Sequence, residues 1–72
     1  MTRRWPAGYM RLQVLDGDSV EFDRIVSPEA YQDAQGERDE AARRVRLRKR
    51  TARVLITDAN DGSKIYETFW RP

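Results

Sequence analysis

Between Tyr9 and Leu15 the apolar residues Met10, Leu12 and Val14 alternate with Arg11 and Gln13, the period of a strand with one buried face. A second alternation runs from Val20 through Phe22 to Val26. The segment between them, Asp16-Gly17-Asp18-Ser19, reads as the turn of a β-hairpin. Paired residues of a hairpin share a face, so the pattern predicts Val14 opposite Val20 and Leu12 opposite Phe22, across an odd-numbered loop. A two-residue Asp16-Gly17 turn would set Leu12 against Glu21 instead.

At Ser27-Pro28-Glu29 the period changes. Serine is a favourable N-cap, proline fits the first helical position, and an early acid complements the helix dipole. A helix is expected from Pro28 to about Arg46, with a buried stripe of Tyr31, Ala34, Arg38, Ala41 and Val45. Gly36 costs about 1 kcal/mol relative to alanine inside it, which makes a kink there conceivable. Asp39 with Arg43 and Glu40 with Arg44 stand at the stabilising acid-before-base spacing.

Alternation returns from Thr51 to Thr57, with Val54 and Ile56 on one face and Leu55 on the other. Asn60-Asp61-Gly62 marks a turn, and Lys64 to Trp70 makes a last strand. Two registers fit. A three-residue loop with Gly62 in the left-handed conformation pairs Ile56 with Tyr66, Val54 with Thr68, Ala52 with Trp70 and Asp58 with Lys64. A two-residue Asp61-Gly62 turn pairs Val54 with Phe69 but sets Ile56 against Glu67. The first is preferred because every pair in it is chemically compatible. An isolated hairpin is marginal. The expected fold is therefore α+β (ββαββ), in which the two β-hairpins form one antiparallel sheet with the single helix packed on one face. Residues 1–8 read as an N-terminal arm and residues 9–72 as one small domain.

Composition narrows the functional classes. The 72 residues are 39% apolar and 36% charged, and they include neither cysteine nor histidine. Disulfides and thiolate sites are excluded, and the commonest metal ligand and general base is missing. Ser19, Ser27 and Ser63 all fall at turn or cap positions. Asp16-Gly17-Asp18 with Glu21 matches no complete calcium loop. No enzymatic activity, metal or cofactor is expected. A core this small rarely supplies more than about 3 to 5 kcal/mol, which leaves self-association, a homodimer for instance, or a partner as the remaining source of stability. No stretch approaches the roughly 20 apolar residues of a membrane span. The expected location is cytoplasmic.

Charge is unevenly distributed. From Asp16 to Glu40 nine acids face two bases, whereas Arg43 to Arg53 holds seven bases and no acid. Arg43 and Arg44 have the helical partners named above. Arg46, Arg48, Lys49, Arg50 and Arg53 have none evident in the sequence. They form the candidate nucleic-acid or anion-binding site, with Arg3, Arg4 and Arg71 as further contributors, because guanidinium groups donate fork-like hydrogen bonds to phosphate. The same run is also what a solvated surface looks like. An acidic protein surface is the other anion it suits.

Trp5, Tyr9, Phe69 and Trp70 lie near the termini, where sheet geometry could gather them into a small cluster closed by the arm. Phe69 and Trp70 fall on opposite faces, so the helix leaves one of them poorly covered. Trp5, Phe69 and Trp70 are the candidate protein interface. Two functions follow: a binding protein for nucleic acid, or a protein-binding inhibitor or adaptor that docks through a sheet edge or exposed aromatics. In size and layout alone the chain is similar to small accessory proteins of phages and mobile elements, some of which inhibit host defence complexes.

Overall fold

The computed structural model describes residues 4–72. Its elements are β1 (Met10–Asp16), β2 (Ser19–Val26), α1 (Tyr31–Leu47), β3 (Ala52–Asp58) and β4 (Lys64–Trp70). All four strands join one antiparallel sheet in the order β2-β1-β3-β4, the α+β arrangement expected. Helix α1 carries the chain from β2 to β3 across one face, so these two strands run parallel with β1 between them. The central strands carry most of the buried apolar positions of the sheet's inner face: Leu12 and Val14 on β1, and Ala52, Val54 and Ile56 on β3, are all buried. Against them pack Ala34, Arg38, Ala41, Ala42 and Val45 of α1. The expected helical stripe is therefore the one used, with Ala42 added and Tyr31 only half-buried. Among the described residues four of the ten buried apolar side chains are alanine. The helix can lie close to the sheet, but the apolar area removed from water is small.

Both hairpins depart from the expected registers. The β1–β2 turn has two residues, Gly17 and Asp18, with Asp16 opposite Ser19. A bulge then shifts the pairing, setting Leu15 opposite Val20, Val14 opposite Phe22 and Leu12 opposite Arg24. One extra residue on β2 thus brings Phe22 to the helix side and turns Val20 away, which alternation alone cannot foresee. In the β3–β4 hairpin the expected pairs Ala52 with Trp70, Val54 with Thr68 and Ile56 with Tyr66 all form, but Lys64 lies opposite Thr57 rather than Asp58. The Asp58 carboxylate is occupied: it accepts bonds from the Asn60 and Asp61 amides at 2.8 and 3.1 Å. The loop is accordingly one residue longer than expected, spanning 59–62, with Gly62 at φ +75° in the left-handed region.

Helix α1 starts three residues later than predicted. Ser27 does cap, but it caps a separate turn, its Oγ accepting from the Ala30 amide at 3.3 Å while Tyr31 N–H reaches Pro28 O at 3.4 Å. Pro28 lies over Gly8, close enough that a β-carbon on that glycine would meet its ring at 3.0 Å. The turn therefore docks the arm before the helix begins. Gly36 lies within the unbroken helix, on its exposed side. At the other end the Lys49 amide donates to Arg46 O (2.9 Å) and the Arg50 amide to Val45 O (3.4 Å), the paired bonds of a Schellman cap. Its left-handed residue is Lys49, at φ +63°, where glycine is the usual occupant.

Candidate functional site

The Schellman cap turns the arginine-rich segment back over the β1–β2 hairpin, and the acids of the first half of the chain meet the bases of the second. Arg50 Nε bonds the buried carboxylate of Asp16, and Arg48 bonds Glu21 and stands 4.0 Å from Asp16. Arg53, on the sheet face away from the helix, pairs with Glu67 at 2.6 Å. Arg46 has no acid partner among the described residues; its Nε donates to Arg71 O at 2.9 Å and its guanidinium lies 5.9 Å from the Trp70 ring centre. Four of the five basic residues without an evident partner in the sequence thus have one in the fold, and Lys49 makes no ion pair among the described residues. The Arg44–Glu40 pair forms at 3.9 Å. The Arg43–Asp39 pair does not, because the Asp39 carboxylate accepts from buried Arg38 (3.0 and 3.2 Å).

Removing the neutralised groups leaves a smaller site. Arg43, Arg46 and Lys49 recur every third residue on one side of the helix end, and with Leu47 and Pro72 they line a cleft of about 330 Å³. Among the described residues no acid lines it, and Leu47 is 79% exposed at its rim. Arg43 was set aside at the level of sequence because Asp39 stands four residues before it. The signal that could have restored it is Arg38: an arginine inside an apolar stripe needs a carboxylate, and Asp39 is the adjacent one. Arg4 and Arg71 are exposed; Arg3 lies outside the described residues.

The aromatic residues separate rather than gather. Trp5 stacks on Tyr9 (ring centres 5.8 Å apart) at the β3–β4 loop, where its amide and carbonyl exchange bonds of 2.6 and 3.0 Å with the Asn60 side chain. Phe69 and Trp70 stand at the other end of β4, Trp70 half-buried under Arg46 and Phe69 51% exposed on the opposite face. The arm therefore closes no common cluster, because its anchor is at the far end of the sheet. Sequence reasoning also missed Ile65 and Tyr66, which with Met10, Tyr31, Gln35, Arg38 and Ile56 line a second cleft of about 450 Å³ between α1 and β4.

Electrostatics on the outer sheet face are those of paired surface charge. The Arg11 guanidinium holds the Asp23 carboxyl below the ordinary aspartate value, and Lys64 with Arg53 does the same for Glu67. Asp16 raises the Arg50 pKa in return. Among the described residues no His, Cys, Asp or Glu cluster could hold a metal ion, and no helix is long and apolar enough to cross a membrane. No protein-family model matches this chain, and neither a curated protein nor a solved structure matches it.

Proposed function

We propose that this chain is a non-enzymatic cytoplasmic binding protein whose ligand is the phosphate backbone of a nucleic acid, held at the cleft formed by Arg43, Arg46 and Lys49. The observation that carries the reading is the lining of that cleft, three cations and no acid, beside a segment whose other bases are neutralised internally. Arg46 is already oriented by Arg71 O and Trp70, which lowers the entropy cost of a bidentate contact to phosphate. Lys49 adds a second kind of support. A left-handed non-glycine residue carries a conformational cost of roughly 1 to 2 kcal/mol, and such costs concentrate at functional positions. Arg48, Arg50 and Arg53 contribute field rather than direct contacts.

Fluorescence anisotropy with mixed DNA and RNA oligonucleotides tests this. Binding is expected at low salt, with log affinity falling against log salt at a slope of about −2 to −3 for three phosphate contacts. The triple change Arg43→Ala, Arg46→Ala, Lys49→Ala should abolish it, whereas Arg53→Ala should leave it nearly intact. Absence of binding at low salt, or binding indifferent to the triple change, would overturn the reading. A protein ligand whose capture survives the triple change but fails with Trp70→Ala would replace it by an inhibitor or adaptor role.

A further inference from the structure

We propose that β4 is the interface strand of a two-fold homodimer, pairing antiparallel with β4 of a second copy so that Thr68 faces Thr68 on the axis. The proposal stands apart from the identity of the ligand in the basic cleft.

Strand β4 is an edge of the sheet, so one row of its backbone N–H and C=O groups lacks a strand partner. Helix α1 packs on β1, β2 and β3 and leaves β4 projecting beyond it. The result is an apolar edge on both faces: Ile65 and Tyr66 are 55% and 50% exposed on the helix side, and Phe69 is 51% exposed on the other. The irregularity in pairing with β3 protects only the Lys64 end of the strand, and from Tyr66 to Trp70 the usual protections are weak. The strand contains no proline, and its central acid, Glu67, is already bonded by Arg53 and Lys64.

A second copy, rather than an unrelated chain, follows from the strand's own sequence. The pairing irregularity against β3 lies at the Lys64 end of β4, so the regular stretch is Tyr66 to Trp70, whose midpoint is Thr68. Antiparallel partners share a face, and an axis at Thr68 sets Tyr66 against Trp70 twice on the helix side and Glu67 against Phe69 twice on the other. An axis at Glu67 would oppose two carboxylates, which is destabilising. An axis at Tyr66 would leave Phe69 and Trp70 beyond the paired region. The small, alanine-rich core supplies the thermodynamic motive, since domains of this size commonly recover stability by association.

The dimer has a geometric consequence. Antiparallel edge pairing puts the two-fold axis perpendicular to the sheet, so both helices and both basic clefts open on one face. The two Trp70 residues then stand about 14 Å apart along the strands, presenting paired clefts to a single extended ligand.

Sedimentation velocity with light scattering, run on the wild-type chain over a broad dilution series, should show a reversible dimer. Tyr66→Lys, at a half-exposed position that the monomer tolerates, should weaken it roughly tenfold or more while circular dichroism stays unchanged. The chain lacks cysteine, which makes the axis directly testable. Thr68→Cys should give a disulfide-linked dimer on mild oxidation, because opposed β-carbons lie roughly 5 Å apart. Glu67→Cys and Phe69→Cys, each about 8 Å from its mate on strand geometry, should not. A wild-type chain that stays monomeric at every concentration overturns the proposal. So does a dimer that ignores Tyr66→Lys and fails to crosslink through Thr68→Cys, since its interface would lie elsewhere. Anisotropy on the monomeric Tyr66→Lys chain keeps the basic cleft intact, so loss of the dimer and loss of anion binding are read separately.

Discussion

Strands β2 and β4 each leave one row of backbone groups unpaired, yet α1 lies over β2 and stops short of β4. The β2 edge is tied down at both ends: Arg24 reaches Glu37 on the helix, and Glu21 receives Arg48 from its C-cap. Both edge strands carry a pairing irregularity, but β2 adds, with Glu21, Asp23 and Arg24, a run of charge that discourages strand addition. The β4 edge has one link to the helix, through Arg46, Trp70 and Arg71 O, and exposes three large apolar side chains. One sheet thus has a closed side and an open one. The difference teaches that the helix covers three strands and leaves the apolar residues of the fourth open to solvent.

Truncating the covered half should have the largest effect. Leu12→Ala, at a fully buried position, should cost about 2 to 5 kcal/mol, close to the whole stability of so small a domain. At protein concentrations that keep the chain monomeric, Phe69→Ala should move the urea midpoint far less, its side chain being half-exposed. Equal losses would erase the comparison. Next comes the junction between the helix end and the first hairpin. Asp16→Asn removes the charge that Arg50 and Arg48 meet and should cost about 1 to 2 kcal/mol, discounted because both arginines remain partly solvated. Asp18→Asn in the same turn, exposed and unpaired among the described residues, serves as its control.

Lys49→Gly should act in the opposite sense. Relief of the left-handed lysine should raise stability by up to about 1 kcal/mol in thermal denaturation, while the same change weakens oligonucleotide binding. A variant that gains stability and keeps full affinity would remove Lys49 from the proposed site. The smallest effect concerns pH. The Asp23 and Glu67 pKa values are lowered by their basic partners in the fold, so the unfolded chain binds protons more readily. Their contribution is present above the unfolded carboxylate values and is lost as pH falls through the folded ones, in the window from about pH 5 to 2. Both carboxylates pair with exposed bases on the sheet, so the drift should be shallow, and with no histidine no transition is expected near neutrality.

Much of the fold was legible because it rests on local rules. The buried faces of β1 and β3, the helical stripe including Arg38, and the left-handed Gly62 all follow from residue period and turn chemistry. The β1–β2 register was not legible, since a bulge obeys packing rather than alternation. Nor was the helix start, where Ser27 and Pro28 met the rules for a cap but serve a docking turn against Gly8. For the candidate site the segment was visible and its working members were not. Arg48 and Arg50 looked free and are held by Asp16 and Glu21, whereas Arg43 looked paired and is free of acids among the described residues.

The amino-acid order by itself determined five elements in sequence, the apolar faces of β1, α1 and β3, and a basic segment after an acidic one. These depend on neighbours within a turn or a hairpin. Tertiary structure alone decided that β1 and β3 are central, that β4 is left bare, and that the acidic and basic halves largely neutralise each other. Arg50 meets Asp16 across 34 positions, and Arg46 meets Arg71 across 25. Such contacts exist only once the helix has crossed the sheet, because the pairing of distant charges is set by where the backbone carries them and not by their spacing in the chain.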